Sequence, residues 1–497
     1  MEKNNEQSSS EATKPNIDTV NNSDHGQTSQ PYTIFTPTQK SLILYACSIS
    51  AIFSTISSFI YFPAITAIAK DLGISIQSVN FTITSYQIIS GIAPSIFGSL
   101  ADELGRRPII LLTSALYLGS NIGLALTKQY IILVVLRCLQ SAGASSSIAI
   151  AYGIIADISV PEERGSFVGV LLGFTNAAPS LGPVIGGVVS EKLSWRWIFW
   201  LLAITSGTHL LLLATFLPET ARRIVGNGTL GPRHLINRSV YSIFLRRHSQ
   251  KPWNTMKHGK ISLTSLFNSL TALLDYANFI VILVGGIKYT IYGCLAASLS
   301  ANVIQVYSLN YLTAGLTYLP AGTGGMFAAY LTGKMLDYDY RVTADNLGVP
   351  LNPRSASMEY FPIEKARLRS IFPVILISSI TTAGYGWTLH AERHIAVLLV
   401  IQFFSGAAQV FVFVTCGTLL TDLNPGRSST VQASYNLVRC ALSAAGIAAL
   451  DAMIKGVGIG WCFSILGIFG VICVPLLYLL KRKGEGWRAR MREERAE

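Results

Sequence analysis

Residues 98–108 read GSLADELGRRP. They separate two long apolar runs, FTITSYQIISGIAPSIF (81–97) and IILLTSALYLGSNIGLAL (109–126). A solvated turn between such runs needs polarity, but it does not need this spacing. Gly98 permits two helices to approach closely, and Gly105 permits a tight reversal. Asp102 supplies an anion suited to the positive end of a helix. Arg106 and Arg107 suit anionic lipid headgroups. The turn is therefore expected at a membrane surface.

The composition agrees. The chain has 497 residues, of which 50% are hydrophobic and 13% charged, against about 25% charged in a soluble protein. Mean hydropathy is +0.45. Twelve apolar runs are long enough to cross a bilayer, which takes ~20 residues per helix. They lie at about 41–63, 79–99, 108–127, 130–153, 166–189, 196–217, 277–299, 310–333, 369–388, 394–418, 430–452 and 458–480. Backbone groups in hydrocarbon must bond within their own segment, so the runs predict helices. A barrel would show ~10-residue alternating strands. The net charge of +12 is dispersed between apolar runs and does not form a nucleic-acid-binding stripe. All seven cysteines fall inside the runs and suit packing rather than disulfides or metal. No CxxC or HExxH is present, and no metal site is expected.

Lysine and arginine set the orientation. With both termini in the cytoplasm, inner loops and tails carry 29 basic residues, outer loops six and spans three. Residues 1–39 are polar and predict a disordered cytoplasmic tail. They show no cleaved signal, which leaves the first span to direct insertion. The spans divide six and six. Residues 40–217 and 277–480 form two bundles, 218–276 a basic cytoplasmic linker and 481–497 a cytoplasmic tail. The sequons at Asn21, Asn80, Asn227 and Asn237 are cytoplasmic or abut a span, so none is expected to carry a glycan. Two joined bundles are the layout of many secondary transporters, whose halves move about a midplane site.

GSLADELGRRP closely resembles the signature loop of the major facilitator superfamily. LRCLQSAG (136–143) resembles its second motif, with Arg137, Gln140 and Gly143 in register. GFTNAAPSLGPVIGG (173–187) resembles its antiporter motif through Gly182, Pro183, Gly186 and Gly187, with Ala178 in place of a central glycine. GKMLDYDYR (333–341) weakly echoes the first motif in the second half. IADISVPEERGSFVG (155–169), SWRWIFWLLAI (194–204), LPETARRIVGNG (217–228), LTYLPAGTGG (316–325) and TDLNPGRSSTVQASYNLVRCALSAAG (421–446) are similar to the fungal twelve-span drug:proton antiporters, which include multidrug and citrate exporters. The resemblance implies an all-α major facilitator fold with a six-plus-six pseudo-repeat. It implies proton-driven export across the plasma membrane by alternating access, with Arg137 tuning a proton site and Asp102 latching the halves. It implies no enzyme activity and no cofactor beyond the proton gradient. The expected partners are a small-molecule substrate, protons and lipids, in a functional monomer.

Substrate class is open at this level between drugs or secondary metabolites and organic acids. A non-transporting nutrient sensor is less favoured, because the C-terminal tail is short. Arg137, Lys288 and Arg439 are the three basic residues within spans, and no acid is comparably central. A positive cavity favours an anion. Lys288 and Arg137 are expected to face each other across the cavity. Tyr289, Tyr292, Tyr86, Gln87, Asn310, Gln402 and Phe403 are candidate liners.

Overall fold

A computed structural model describes residues 32–159, 161–229, 235–239, 271–348, 361–424 and 428–496. Most of the N-terminal tail, Asn21 and most of the linker lie outside the described residues. Twelve helices of 20 residues or more build the described fold. They are α1 Pro37–Phe59, α2 Ile76–Leu104, α3 Arg106–Leu126, α4 Tyr130–Ile158, α5 Pro161–Lys192, α6 Trp195–Phe216, α7 Tyr276–Tyr307, α8 Leu319–Leu347, α9 Ile371–His390, α10 Ile395–Leu423, α11 Ser428–Val457 and α12 Ile459–Ala496.

Among the described residues, ten helical segments are long and apolar enough to cross a membrane, and α2 and α8 are the long helices that fall short. Their sequences explain this. α2 carries Ser, Thr, Asn and Gln between its apolar residues, and α8 carries four glycines and three acidic residues. These two helices also lie on the seam between the bundles, α2 against α11 and α8 against α5.

Two predicted spans have different bounds in the structure. The run expected at 310–333 is a short helix, Tyr311–Leu316, followed by a break and then α8. Pro320 suits the start of α8, where its missing N–H is not needed. GKMLDYDYR consequently lies inside α8, and Gly333 makes no reversal. The tail expected from residue 481 continues α12 as helix to Ala496. It is held there by Arg488, which is bonded to both carboxylate oxygens of Glu364 at 2.7 Å.

The apolar core is arranged differently at the two ends. At the end opposite the 98–108 turn, one cluster draws on both bundles, including Tyr61, Phe62, Leu124 and Trp195 with Cys294, Leu299, Tyr318 and Tyr385. At the turn's own end the core is split. Ile43, Ile110, Ile154 and Leu213 belong to a cluster in the first half, and Val281, Ile375, Val412 and Leu477 to another in the second. Buried apolar area stabilises by about 25 cal/mol per Å², so this material joins the halves at one end only. Phe62 stacks on Tyr318 across the seam, with ring centroids 6.2 Å apart.

Candidate functional site

The 98–108 turn is held from an unexpected direction. Gly105 has φ of 111°, a value that favours glycine. The Glu219 carboxylate, from the segment after α6, accepts the N–H groups of Arg106 at 2.9 Å and Arg107 at 3.3 Å. It also accepts from Thr220 and Ala221. The free N–H groups at the start of α3 thus meet an anion, as the helix dipole favours. Burial raises the Glu219 carboxyl above its usual range, and the four N–H bonds draw it part of the way back.

Asp102 was expected to cap a helix of the other half. Here its partner is Arg106, at 2.6 Å and one helical turn away. Arg106 also binds Asp157 at 3.1 Å. Arg107 is 4% exposed and donates to the Ala214 carbonyl at the end of α6. The two arginines therefore serve internal partners rather than headgroups, because a carboxylate and the negative end of a helix lie within reach. Gly98 is less constrained than its motif position suggests. A Cβ there would sit 3.8 Å from that of Ala149, an ordinary contact.

Arg137 is fully buried in the first half. Its guanidinium lies between the rings of Tyr61 and Tyr86, at 4.3 and 4.4 Å from their centroids. Nη1 donates to Gln140 Oε1 at 2.7 Å and to the Ser57 carbonyl at 3.3 Å. Gln140 in turn donates to Asn121 Oδ1 at 2.8 Å. The i,i+3 spacing of Arg137 and Gln140 was legible. The aromatic sandwich was not, because Tyr61 comes from the turn after α1 and Tyr86 from α2.

Lys288 does not face Arg137. It is 2% exposed, and its Nζ donates to the Ile375 carbonyl at 3.3 Å and to Ser379 Oγ at 3.2 Å, both on α9. Gly470 of α12 closes over it, since a Cβ there would come within 2.8 Å of Nζ. Lys288 is thus an internal tie among α7, α9 and α12.

Arg439 is the cation at the seam. Its guanidinium lies 4.5 Å from the centroid of the Tyr289 ring and 5.1 Å from that of Phe413. Nη2 donates to Asn436 Oδ1 at 2.7 Å, and Asn436 donates to the Ser90 carbonyl of the first half at 3.2 Å. Tyr152 of α4 and Gln87 of α2 lie close to this group. Tyr292, half-buried one turn on, continues the aromatic face of α7. Among the described residues, Arg137, Lys288 and Arg439 form no ion pair with a carboxylate. Asn310 and Gln402 are not part of this group. Asn310 caps the 311–316 helix, and Gln402 is buried on α10 beside Phe403, whose carbonyl abuts Gly324 of α8.

The α5 motif divides by face. A Cβ at Gly186 would drive into the Ile60 carbonyl where α1 ends, and one at Gly182 would sit 3.1 Å from Ile60 N. Gly187 faces the other half, where a Cβ would lie 2.5 Å from the Tyr311 carbonyl, and the Pro183 carbonyl abuts Gly315. Small residues let these backbones touch.

Two six-helix bundles joined at one end, with cations inside and a seam lined by aromatics and amides, define a membrane transporter of the alternating-access class. The family profile for the Major Facilitator Superfamily matches residues 47–446. The chain belongs to that superfamily. It is 38% identical over 467 residues to Citrate exporter 1 of Aspergillus niger, across 92% of this chain and 88% of that one. It is 35% identical over 470 residues to the MFS-type transporter phiD of a fungal species, across 93% of this chain and 71% of that one. Among solved structures, a D-xylose-proton symporter aligns with TM-score 0.64 at 15% identity, across 88% of this chain and 97% of its own. That likeness speaks for the fold alone. The chain is a multi-pass membrane protein and a secondary transporter of small organic molecules, not an enzyme.

Proposed function

We propose that the chain is a proton-coupled exporter of organic anions, of the carboxylate class, in the plasma membrane with both termini in the cytoplasm. Arg439 carries this reading. It is a cation at the seam between the halves, and among the described residues no carboxylate pairs with it. Its Nε is buried without a partner. A half-buried, incompletely satisfied guanidinium at the seam favours a planar anion that can accept from it. A citrate exporter among the relatives is consistent with that chemistry.

The distribution of basic residues supports the orientation. In that orientation the joined end faces outward and the split end faces the cytoplasm, so this conformation is inward-facing. Asp102, with its side chain 63% exposed, is then an open latch that engages the second half when the cytoplasmic end closes. The Ala178 departure leaves the antiporter motif's packing faces intact, because Gly182, Gly186 and Gly187 make the contacts. The transporter needs no cofactor beyond the proton gradient and works as a monomer.

The test is the full-length chain in sealed vesicles with labelled citrate and an imposed pH gradient. Gradient-driven accumulation that a protonophore abolishes is expected. Citrate that does not move in either direction overturns the substrate, and citrate that moves without regard to the gradient overturns the coupling.

A further inference from the structure

Proton coupling requires a group that gains and loses a proton, and among the described residues no carboxylate pairs with Arg439 at the seam. The first half contains a titratable side chain that none of the motifs includes. His209 of α6 is 6% exposed, and its Nε2 lies 2.8 Å from Ser50 Oγ of α1. The same hydroxyl lies 3.2 Å from the Ala46 carbonyl. This geometry can satisfy both protonation states. When Nε2 carries a hydrogen it donates to Ser50, and Ser50 donates to Ala46. When Nε2 is bare, Ser50 turns and donates to it.

Beside the ring lies a small cavity lined by Ser50, Ser114, Tyr117, Ser147, Ser206 and His209, with Phe53, Gly143 and Ala144 completing its wall. The site is polar and offers several partners to a water molecule. The groups facing His209 can be named element by element. α1 brings Ser50 and Phe53, α3 brings Ser114 and Tyr117, and α4 brings Gly143, Ala144 and Ser147. Tyr117 is the titratable group among them. No described carboxylate lines the cavity.

The cavity connects to the buried cation of the same half. Tyr117 OH lies 2.6 Å from Ser57 Oγ, and Ser57 gives its carbonyl to Arg137 Nη1. His209 is 14 residues from the start of α6 and Arg137 seven from the start of α4. Both helices start at the joined end, so the two groups are offset by roughly 10 Å along the bundle at 1.5 Å per residue.

We propose that His209 is the proton-carrying site of the first half, loading through the hydroxyl-lined cavity and communicating with Arg137 through Tyr117 and Ser57. This rests on the proton-coupled reading above. The proton is taken from and returned to water, and the N–H bond of the ring is the bond made and broken. An imidazolium calls for solvation, and a neutral ring suits the Phe53 face, so the charge state biases the half toward one of its two arrangements.

The test uses the full-length chain in vesicles with labelled citrate as probe and a pH-sensitive dye inside. Wild type is expected to move protons with citrate. His209→Gln, which keeps a hydrogen-bonding group toward Ser50, is expected to exchange citrate for citrate while proton movement falls to that of protein-free vesicles. A wild type that moves citrate without protons removes the coupled reading and this site with it. A coupled wild type with an equally coupled His209→Gln overturns the His209 assignment alone. A second measurement needs no substrate. In the full-length chain labelled with 15N-histidine, the ring signal that disappears in His209→Gln should change between its neutral and charged forms as pH is varied. A ring that stays neutral at every pH at which the protein remains folded overturns the proposal.

Discussion

The two halves solve the same structural problem with opposite chemistry. In each, the chain at or just beyond the end of the sixth helix reaches back to the start of the third. In the first half, Glu219 after α6 accepts backbone N–H groups at the start of α3. In the second, Arg488 in the extension of α12 binds Glu364, a few residues before α9. A second pair is repeated without inversion. Arg106 binds Asp157 at the end of α4, and Arg367 binds Asp422 at the end of α10 at 2.8 Å. The duplication is therefore visible in contacts that the weak echo at 333–341 does not capture. It also shows that the halves were free to diverge wherever a contact only had to close an end.

The widest separation between the halves should appear on deleting the two carboxylates. Glu219→Ala leaves four backbone N–H groups without their acceptor, in a segment that cannot turn away. Each buried group left unpaired costs about 1–3 kcal/mol, so a loss of several kcal/mol is expected. Glu364→Ala leaves Arg488, whose side chain is 13% exposed and can swing to water, and should cost about 1–2 kcal/mol. Thermal unfolding of the two purified variants compares them, and equal losses would break the contrast.

Within the α5 motif, Gly186→Ala should cost about 1–3 kcal/mol, as overpacking does, because the methyl meets the Ile60 carbonyl. Gly182→Ala should be milder, since its nearest neighbours stand 3.1 Å away. The yield and unfolding midpoint of the two variants check this ordering.

Replacement of Lys288, the cation tied within the second half, should move stability the other way. Lys288→Met fills the same space without a charge that lacks a carboxylate partner. It should leave citrate transport intact and stabilise by about 1 kcal/mol. Lost transport in a folded Lys288→Met protein would return Lys288 to the site. The smallest effect is expected at Asp102→Asn. An exposed ion pair contributes about 0–1 kcal/mol, so stability should hold while transport slows, and a wild-type rate would remove the latch.

Much of this was legible. Hydropathy gave the spans, since a bilayer imposes length and polarity together. It also found α2 and α8, although both are more polar than the other helices, but it missed the break before Pro320 that divides the 310–333 run. The 98–108 turn could be recognised from spacing. The facing of Lys288 could not, because a helix with apolar residues on all sides gives no periodicity to orient it. Glu219 was hidden for a different reason. It binds N–H groups, which carry no side-chain identity, and its partner Arg106 is 113 residues away in the chain. LPET carries only a family resemblance. His209 follows a short Thr-Ser-Gly-Thr stretch (205–208) within an otherwise apolar run, and its serine partner is on α1.

The central claim is that the substrate anion meets the seam cation rather than the cations buried within each half. Citrate flux in vesicles holding Arg439→Gln or Lys288→Gln tests it most directly, with both variants shown to be folded and inserted. The account predicts that Arg439→Gln loses citrate transport and Lys288→Gln keeps it. Transport retained by Arg439→Gln and lost by Lys288→Gln would contradict it.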